Sequence, residues 1–317
     1  MNSVLAKRVS ELDEHNLVQL ILSVLKKYQT TDLIVQPGDD AAVLAKLNKP
    51  TVTADVLIED VHFKTNWSSA SDIGTRAAAA NLADLVAMGA KPVALTVSLG
   101  LPPNTKVGFV LDLVEAISIE ASLVFAQVVG GDVTRSEKLV VSITAIGDCE
   151  TRSPILRSGA KVGDQIGIIG RIGWAQAGLD LLNNEKTEPA LLIAAHQRPQ
   201  VFYSAVISAF DCATSMVDIS DGLLVDLGHI AKASEVSIAI DSKMLGQFVS
   251  SELNQAAQLL NVDPINWILS GGDDHAIAIS APSLPDGVIR IGEVQSGSGV
   301  WLDEKPAQLL GYRHFSD

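Results

Sequence analysis

Cysteine is nearly absent from this chain of 317 residues: Cys149 and Cys212 are the only two. Two are too few for a disulfide framework or a Cys-based zinc site. Aromatic residues make up 4% of the chain, so few side chains can stack on a planar ligand. Basic residues are outnumbered, 23 Lys and Arg against 37 Asp and Glu, and the formal net charge is −14. That balance argues against a grip on a nucleic-acid backbone and against anionic membrane surfaces, so neither partner is expected. No apolar run spans a bilayer, since AAAANLADLVAMGA is broken by Asn81 and Asp84, and the opening MNSVLAKRVSELDEHN has no apolar signal core. A soluble cytoplasmic protein is expected. The phosphate-cradling G-x-x-x-x-G-K-[ST] loop, the protein-kinase motifs and the D-x-D-x-D-G calcium loop are also missing. GIIGRIG (Gly167, Gly170, Gly173) lacks dinucleotide-fingerprint spacing and reads as a tight strand–helix turn.

What is present reads as globular: 47% hydrophobic and 19% charged residues. The length exceeds what one core usually serves, so two domains are expected, 1–149 and 150–317, divided at the polar, turn-rich DCETRSPILRSGAKVGD. Periodicity predicts an amphipathic helix over 13–28 and an Ala-rich helix from Asp72, stopped by Gly89 and Pro92. A further helix is predicted over 106–122. Strands are predicted at TVTADVLI, PVALTVSLG, FAQVV and LVVSITAIG. In the second half QIGIIGRIGWAQAGLDLL reads as strand, loop and helix. Helices at 189–209 and 222–234 and strands at SIAID, HAIAIS and VIRIGEV follow. The fold class expected is mixed α/β, or α+β, in two halves.

Aspartates recur at the ends of these elements. PGDDAAV sets Asp39 and Asp40 after a Pro-Gly turn. Asp55 lies within or at the end of a strand, with Glu59, Asp60 and His62 beyond it. Asn81 and Asp84 share one helix face, i and i+3. Asp132 follows two glycines after a hydrophobic strand, and Asp218 and Asp221 flank Ser220 at a helix start. Each has an ordinary reading: a cap for Asp218 or Ser220, a turn for Asp132, a solvated face for Asp84. Together they imply cations, because semi-buried carboxylates without partners are costly. Hard oxygen donors without Cys or paired His favour Mg²⁺, Mn²⁺ or Ca²⁺ over zinc, and scattered aspartates suit a metal–polyphosphate better than a closed calcium cage. Candidate phosphate grips are Arg157, Lys161, Gly130, Gly131 and the helix start near Ser220.

Taken together, PGDDAAV, ADVLIEDVHF, NLADLVAMGAKP, VVGGDVTRS, RSGAKVGDQIGIIGRIGWAQAGL, VDISDGLLVDLGHI, LSGGDD and GYRHF resemble, in order and spacing, the thiamine-monophosphate kinases of the aminoimidazole-ribonucleotide synthetase-like superfamily. The resemblance implies a two-domain synthetase-like fold whose N-terminal sheet forms a barrel across a homodimer, with ATP in a cleft across the domains. It implies ATP as co-substrate, several Mg²⁺ ions, and γ-phosphoryl transfer to the phosphate of thiamine monophosphate. On that resemblance Asp40, Thr53, Asp55, Asp84, Asp132, Asp218 and Asp221 match metal-binding positions. Gly131, Asp132, Arg157 and Ser220 match nucleotide contacts, and His62, Asp273 and Phe315 match positions that hold the thiamine moiety. Asp39 is expected to support rather than ligate. No general base is implied, because a phosphate acceptor with its second pKa near 6 is already largely ionised.

The chain departs from the family pattern at GGDDHAI, where Gly-Gly-Glu-Asp-Tyr-Glu-Leu is usual. Asp273 is one methylene shorter than that Glu, and His275, at the Tyr position, is expected to pack. Ala54 stands where Thr is common. Trp174 and Trp267 are expected in the core, and His196 and His229 on the surface or in packing. The alternatives are another ATP-using member of the superfamily or a non-catalytic Mg-nucleotide sensor. A reactive cysteine before Cys149, expected of a selenophosphate synthetase, is absent, and HFSD replaces the cysteine tail expected of a hydrogenase-maturation relative.

Overall fold

A computed structural model describes residues 2–30, 33–309 and 311. The chain divides into two compact units: Met1–Leu85 with Ala90–Arg152, and Val86–Gly89 with Ser153–Asp317.

The first unit is built on a four-stranded sheet. Its strands are β3 (Pro50–Ile58), β4 (Lys91–Leu101), β5 (Gln127–Arg135) and β6 (Val140–Asp148); β1 (Leu33–Val35) and β2 (Val43–Leu44) pair separately. The order is β3-β6-β4-β5, antiparallel except for the parallel pair β4–β5. The helix Ala70–Ala87 is rich in Ala because nearly all of it is buried; Ala77, Ala78, Ala79, Leu82 and Leu85 are among its buried residues. Helix Val107–Ser122 buries Val110, Leu113, Val114 and Ile117 at helical spacing. The predicted helix over 13–28 is Glu14–Leu25 continued by a 3₁₀ turn, Lys26–Tyr28, and starts at Asp13, whose side chain accepts the Asn16 N–H. The predicted strand FAQVV is corrected: it begins at Gln127 and runs on through Gly130, Gly131 and Asp132 to Arg135. Pairing with β4 outweighs the turn preference of Gly-Gly-Asp, so Asp132 is a strand residue rather than a turn residue.

The second unit holds a seven-stranded sheet: β7 (Gln165–Ile169), β8 (Ser215–Ile219), β9 (Ser237–Ile240), β10 (Ala276–Ala281), β11 (Ile289–Gln295), β12 (Gly299–Leu302) and β13 (Lys305–Pro306). The order is β13-β12-β9-β11-β7-β10-β8, with only β9–β12 parallel. Its inner strand β10 is apolar because it is buried on both faces, all six residues being buried, and the edge strand β8 is covered as well, with all five of its residues buried. Helices Trp174–Asn183 and Leu223–Ser234 pack their apolar sides into this core, as do Trp267 and Ile268. The single helix predicted over 189–209 is two, Ala190–Gln197 and Tyr203–Ser208. Pro199 explains the break: it forces Arg198 into an extended conformation (φ −149°, ψ 87°) and cannot continue the helical hydrogen bonds. Among the described residues no helix is long and apolar enough to cross a membrane.

Candidate functional site

In the first unit the predicted donors lie on the strands, on the helix Ala70–Ala87 and on the loop before β2. Thr53 and Asp55 are both on β3. The Thr53 hydroxyl donates to Oδ2 of Asp84 at 2.8 Å, and the Asp55 N–H donates to Oδ1 of Asn81 at 3.2 Å. Asn81 is fully buried, and its amide donates to the Ala77 carbonyl at 2.9 Å. Asn81 is therefore a clamp between helix and strand, whereas the half-buried Asp84 projects one turn further along and meets Thr53. Asp40 is exposed, and its N–H donates to Oδ1 of the adjacent Asp39 at 2.8 Å. Asp39 thus orders the turn that presents Asp40.

Asp132 is exposed on β5, the sheet edge opposite β3, with β6 and β4 between them. Within one copy the sheet therefore does not bring Asp55 and Asp132 together. Gly131 has a packing reason to be glycine: a Cβ there would stand 1.8 Å from the Val97 carbonyl oxygen of β4. At Gly130 the same Cβ would meet nothing within 4 Å. His62 follows a turn in which Asp60 has φ 64°, and Nδ1 of His62 accepts the Ile58 N–H at 3.1 Å. That bond fixes the ring: Nδ1 is the acceptor, so a neutral His62 carries its proton on Nε2. Glu59 and Asp60 are engaged nearby, with Leu139 N–H, Thr65 and Lys138.

In the second unit three loops meet at one end of the sheet, because β7, β10 and β8 are neighbours. β10 is paired so that Ala276 faces Ile219 and Ile277 faces both Asp218 and Ile169. Asp218 is the penultimate residue of β8 and is buried, so it is no helix cap. Its Oδ2 lies 2.8 Å from Nδ1 of His275, while its Oδ1 is buried without a hydrogen-bond partner among the described residues. His275 is buried too, but the expectation that it only packs is corrected: its ring holds Asp218.

The helix after β8 begins at Gly222, which is not capped by Asp218 or Ser220. Instead Oδ2 of Asp226 accepts three consecutive backbone N–H groups, Ser220, Asp221 and Gly222, each at 3.1 Å. Gly222 has φ +128° and a Cβ there would crowd the Ser270 carbonyl at 2.7 Å, so only glycine suits the bend. Ser220 itself is exposed and Asp221 half-buried, presented by this loop. Burial, then the charge of Asp218, raises the Asp226 carboxyl to about 7 against the pull of its N–H donors. Asp221, Asp226 and His229 place one ligand atom each within 4.8 Å of one another.

The loop before β10 is tied down at Asp273, Asp274 and His275. The Asp273 N–H donates to the Ser220 carbonyl at 3.0 Å, and the His275 N–H to that of Ile219 at 3.3 Å. Asp274 is buried and caps helix Trp174–Asn183, accepting the Gly173 N–H at Oδ2 and the Ala175 N–H at Oδ1. Burial again prevails over those donors and lifts the Asp274 carboxyl to about 7. Asp273 and His275, on either side, both have positive φ, 62° and 50°. Asp274 and His275 are both buried while Asp273 stays half-buried. Arg157 is exposed in a 3₁₀ turn whose carbonyl accepts the Ser234 hydroxyl at 2.7 Å. Phe315 lies outside the described residues. Trp174 and Trp267 are buried in the core, Trp267 donating to Asp180 at 2.7 Å. His196 is buried and His229 exposed.

Asp226 and Asp274 are the residues that motif reading passes over. The available signal was an aspartate inside an otherwise apolar helix start, LLVDL, and the second of two adjacent aspartates after Gly-Gly.

Comparisons with known proteins fit this arrangement. Residues 38–149 match the family model "AIR synthase related protein, N-terminal domain". A thiamine-monophosphate kinase of Mycobacterium tuberculosis is 40% identical over 294 residues, 91% of this chain and 88% of that protein. The solved thiamine-monophosphate kinase of Stenotrophomonas maltophilia K279a superposes with a TM-score of 0.81 at 31% identity, over 93% of this chain and 98% of that one. A structure described as "AaThiL complexed with AMPPCP and TMP" matches with a TM-score of 0.79 at 32% identity, over 98% and 99% of the two chains. With identities above 30% sustained along nearly the whole length, the chain belongs to the thiamine-monophosphate kinase family.

Proposed function

We propose that this protein transfers the γ-phosphoryl group of ATP directly to the phosphate of thiamine monophosphate, giving thiamine diphosphate and ADP. The observation that carries this choice of reaction is the match, over 98% of the chain, to a relative described with both AMPPCP, an ATP analogue, and TMP bound. The acceptor phosphate is largely ionised near neutrality, so the reaction needs positioning and charge screening more than a base.

The residues present fit Mg²⁺. Every predicted donor is a carboxylate or hydroxyl oxygen, and Oδ1 of Asp218 is a buried carboxylate oxygen with no hydrogen-bond partner among the described residues, a costly arrangement that a cation relieves. Asp40, Thr53, Asp55, Asp84 and Asp132 of the first unit and Asp218 and Asp221 of the second are the residues proposed to hold several such ions. When bound, Mg²⁺ would neutralise phosphate charge and stabilise the charge that develops during transfer. Gly131, Asp132, Arg157 and Ser220 are the proposed nucleotide contacts. His62 would donate from Nε2 and Asp273 would accept from the thiamine moiety. Both are supported by a fixed local geometry: the Ile58 N–H on His62 and the Ser220 carbonyl on the Asp273 backbone.

We further read the first unit as the dimerising one, its sheet closing into a barrel with that of a second copy. The exposed Val52 and Val56 on the edge strand β3, at 63% and 43%, support that reading. Cys149 and Cys212 are not joined in a disulfide, which fits a cytoplasmic setting.

The test is product analysis. Purified protein is incubated with Mg-ATP and thiamine monophosphate, with thiamine as a parallel acceptor, and the products are separated. Thiamine diphosphate with matching ADP, from the monophosphate only, is expected. Mg-dependent ATP binding without any thiamine diphosphate would overturn the assignment and favour a sensor.

A further inference from the structure

Asp218 and His275 form a buried pair, with side chains 5% and 6% exposed, whose two carboxylate oxygens are treated unequally. Oδ2 is engaged by Nδ1 of His275 at 2.8 Å; Oδ1 has no hydrogen-bond partner among the described residues. With Asp218 ionised, the shared hydrogen sits on Nδ1, because a carboxylate only accepts. The ring cannot easily drift. Its backbone is held in a left-handed conformation (φ 50°), its N–H is bonded to Ile219, and the preceding Asp274 is anchored in the N-terminus of helix Trp174–Asn183. Partners of this kind orient metal ligands elsewhere in proteins, and losing one commonly weakens metal binding by about 10–100-fold.

We propose that His275 is a positioning and specificity-determining residue: by occupying Oδ2 it leaves Asp218 to offer Oδ1 alone to a divalent cation. A one-oxygen carboxylate suits the strict octahedral shell of Mg²⁺ or Mn²⁺. A carboxylate with both oxygens open suits the larger, often bidentate shell of Ca²⁺. The inference rests on the reading of Asp218 as a metal-holding residue and deepens it, adding a selectivity device that belongs to this chain's own GGDDHAI segment.

The probe is the metal alone, added to the full chain without nucleotide at one fixed pH. Mn²⁺ and Ca²⁺ binding are followed by calorimetry for wild type, His275→Phe, His275→Asn and His275→Gln. Phe fills the space without a donor. Asn places an amide N–H near the position of Nδ1, and Gln places it near Nε2 instead. The expected result is Mn²⁺ affinity about 10-fold weaker in His275→Phe and His275→Gln, with the preference shifted toward Ca²⁺, and recovery to within about 3-fold of wild type in His275→Asn. If Phe fails to fold, the Asn–Gln comparison decides, since both are polar and differ in donor position. The proposal is overturned if the folded variants bind Mn²⁺ and Ca²⁺ as wild type does, if Asn is as weak as Gln, or if wild type binds no Mn²⁺. Failure here while wild type still makes thiamine diphosphate removes only the role of His275. Absence of product with the predicted binding pattern removes the kinase reading and leaves the pair.

Discussion

Two groups of aspartates, the proposed metal donors of the first unit and the buried carboxylates of the second, are used in opposite ways. Asp148 of the first unit, buried and accepting the Asn48, Lys49 and Glu150 N–H groups, behaves like the second group. In the first, Asp40, Asp55 and Asp132 are exposed, and the support visible around them comes from neighbours: Asp39 beneath Asp40, Asn81 behind the backbone of Asp55, β4 beside Asp132. In the second, Asp218, Asp226 and Asp274 are 5%, 2% and 6% exposed, and their own carboxylates hold the backbone or a buried ring. The difference separates two jobs of the same side chain. An exposed carboxylate can be neutralised with little strain, so its loss should show in function. A buried carboxylate bonded to backbone N–H groups is part of the fold, so its loss should show in stability as well.

The sharpest contrast comes from Asp55→Asn. Removing one charged donor from the proposed metal set should lower kcat/KM for thiamine monophosphate at least about 100-fold, near 2.7 kcal/mol of barrier. The melting temperature should stay within about 2 °C, because the site is exposed. A variant that loses activity only by unfolding would erase the contrast between the two groups.

In the second unit, the number of oxygens in use decides which variant survives. Asp274 accepts with both oxygens, so Asp274→Asn points an N–H₂ at a backbone N–H at the start of helix Trp174–Asn183. An unfolding free energy lower by about 2–4 kcal/mol is expected by denaturant titration. Asp226 takes all three donors on one oxygen, which Asn keeps, and the substitution also removes a charge close to Asp218 and Asp221. Asp226→Asn should therefore lose no more than about 1 kcal/mol relative to wild type. Equal losses in the two variants would show that burial alone, not the pattern of acceptors, governs them.

Protonation sharpens the same point. The carboxyls of Asp226 and Asp274 are both raised to about 7, mainly by burial. Between about pH 4, where the unfolded carboxyl titrates, and pH 7, the folded protein holds protons that the unfolded chain has released. Their contribution to stability is therefore fully present below that window and is lost as pH rises through it, by at most about 1.4 kcal/mol per pH unit for each group. Asp226→Asn should remove one group's share of that slope in melts taken across the window; an unchanged slope would mean that Asp226 titrates in the ordinary range.

Much of this was legible in the sequence, for physical reasons. Polar residues that interrupt apolar runs, Asn81 and Asp84 in the Ala-rich helix and Asp218 in an apolar strand, stand out wherever they are placed, and the structure puts each beside another element. What escaped was what depends on partners distant in the chain. Gly-Gly-Asp reads locally as a turn, yet β4 lies alongside and carries it as strand. His275 reads as packing because Asp218 is 57 positions away. Residues 242–270, for which no element is predicted above, hold helices started by ordinary caps, Ser250 on Leu253 and Asp263 with Pro264 at the first turn. Those caps are local signals that a search for periodicity passes over.

The smallest expected effect is at Gly130. Its neighbour Gly131 excludes any side chain because the Val97 carbonyl lies where a Cβ would be, but a Cβ at Gly130 would enter open space. The fold therefore does not require glycine there. Gly130→Ala should leave stability within about 0.5 kcal/mol, or raise it slightly by restricting the unfolded chain. If the open space serves close approach of a phosphate to this strand, the added methyl should raise KM for ATP several-fold with little change in kcat, the pattern of lost uniform binding. A variant with unchanged KM would move the nucleotide away from β5 and leave Asp132 as the strand's sole contribution to the proposed site.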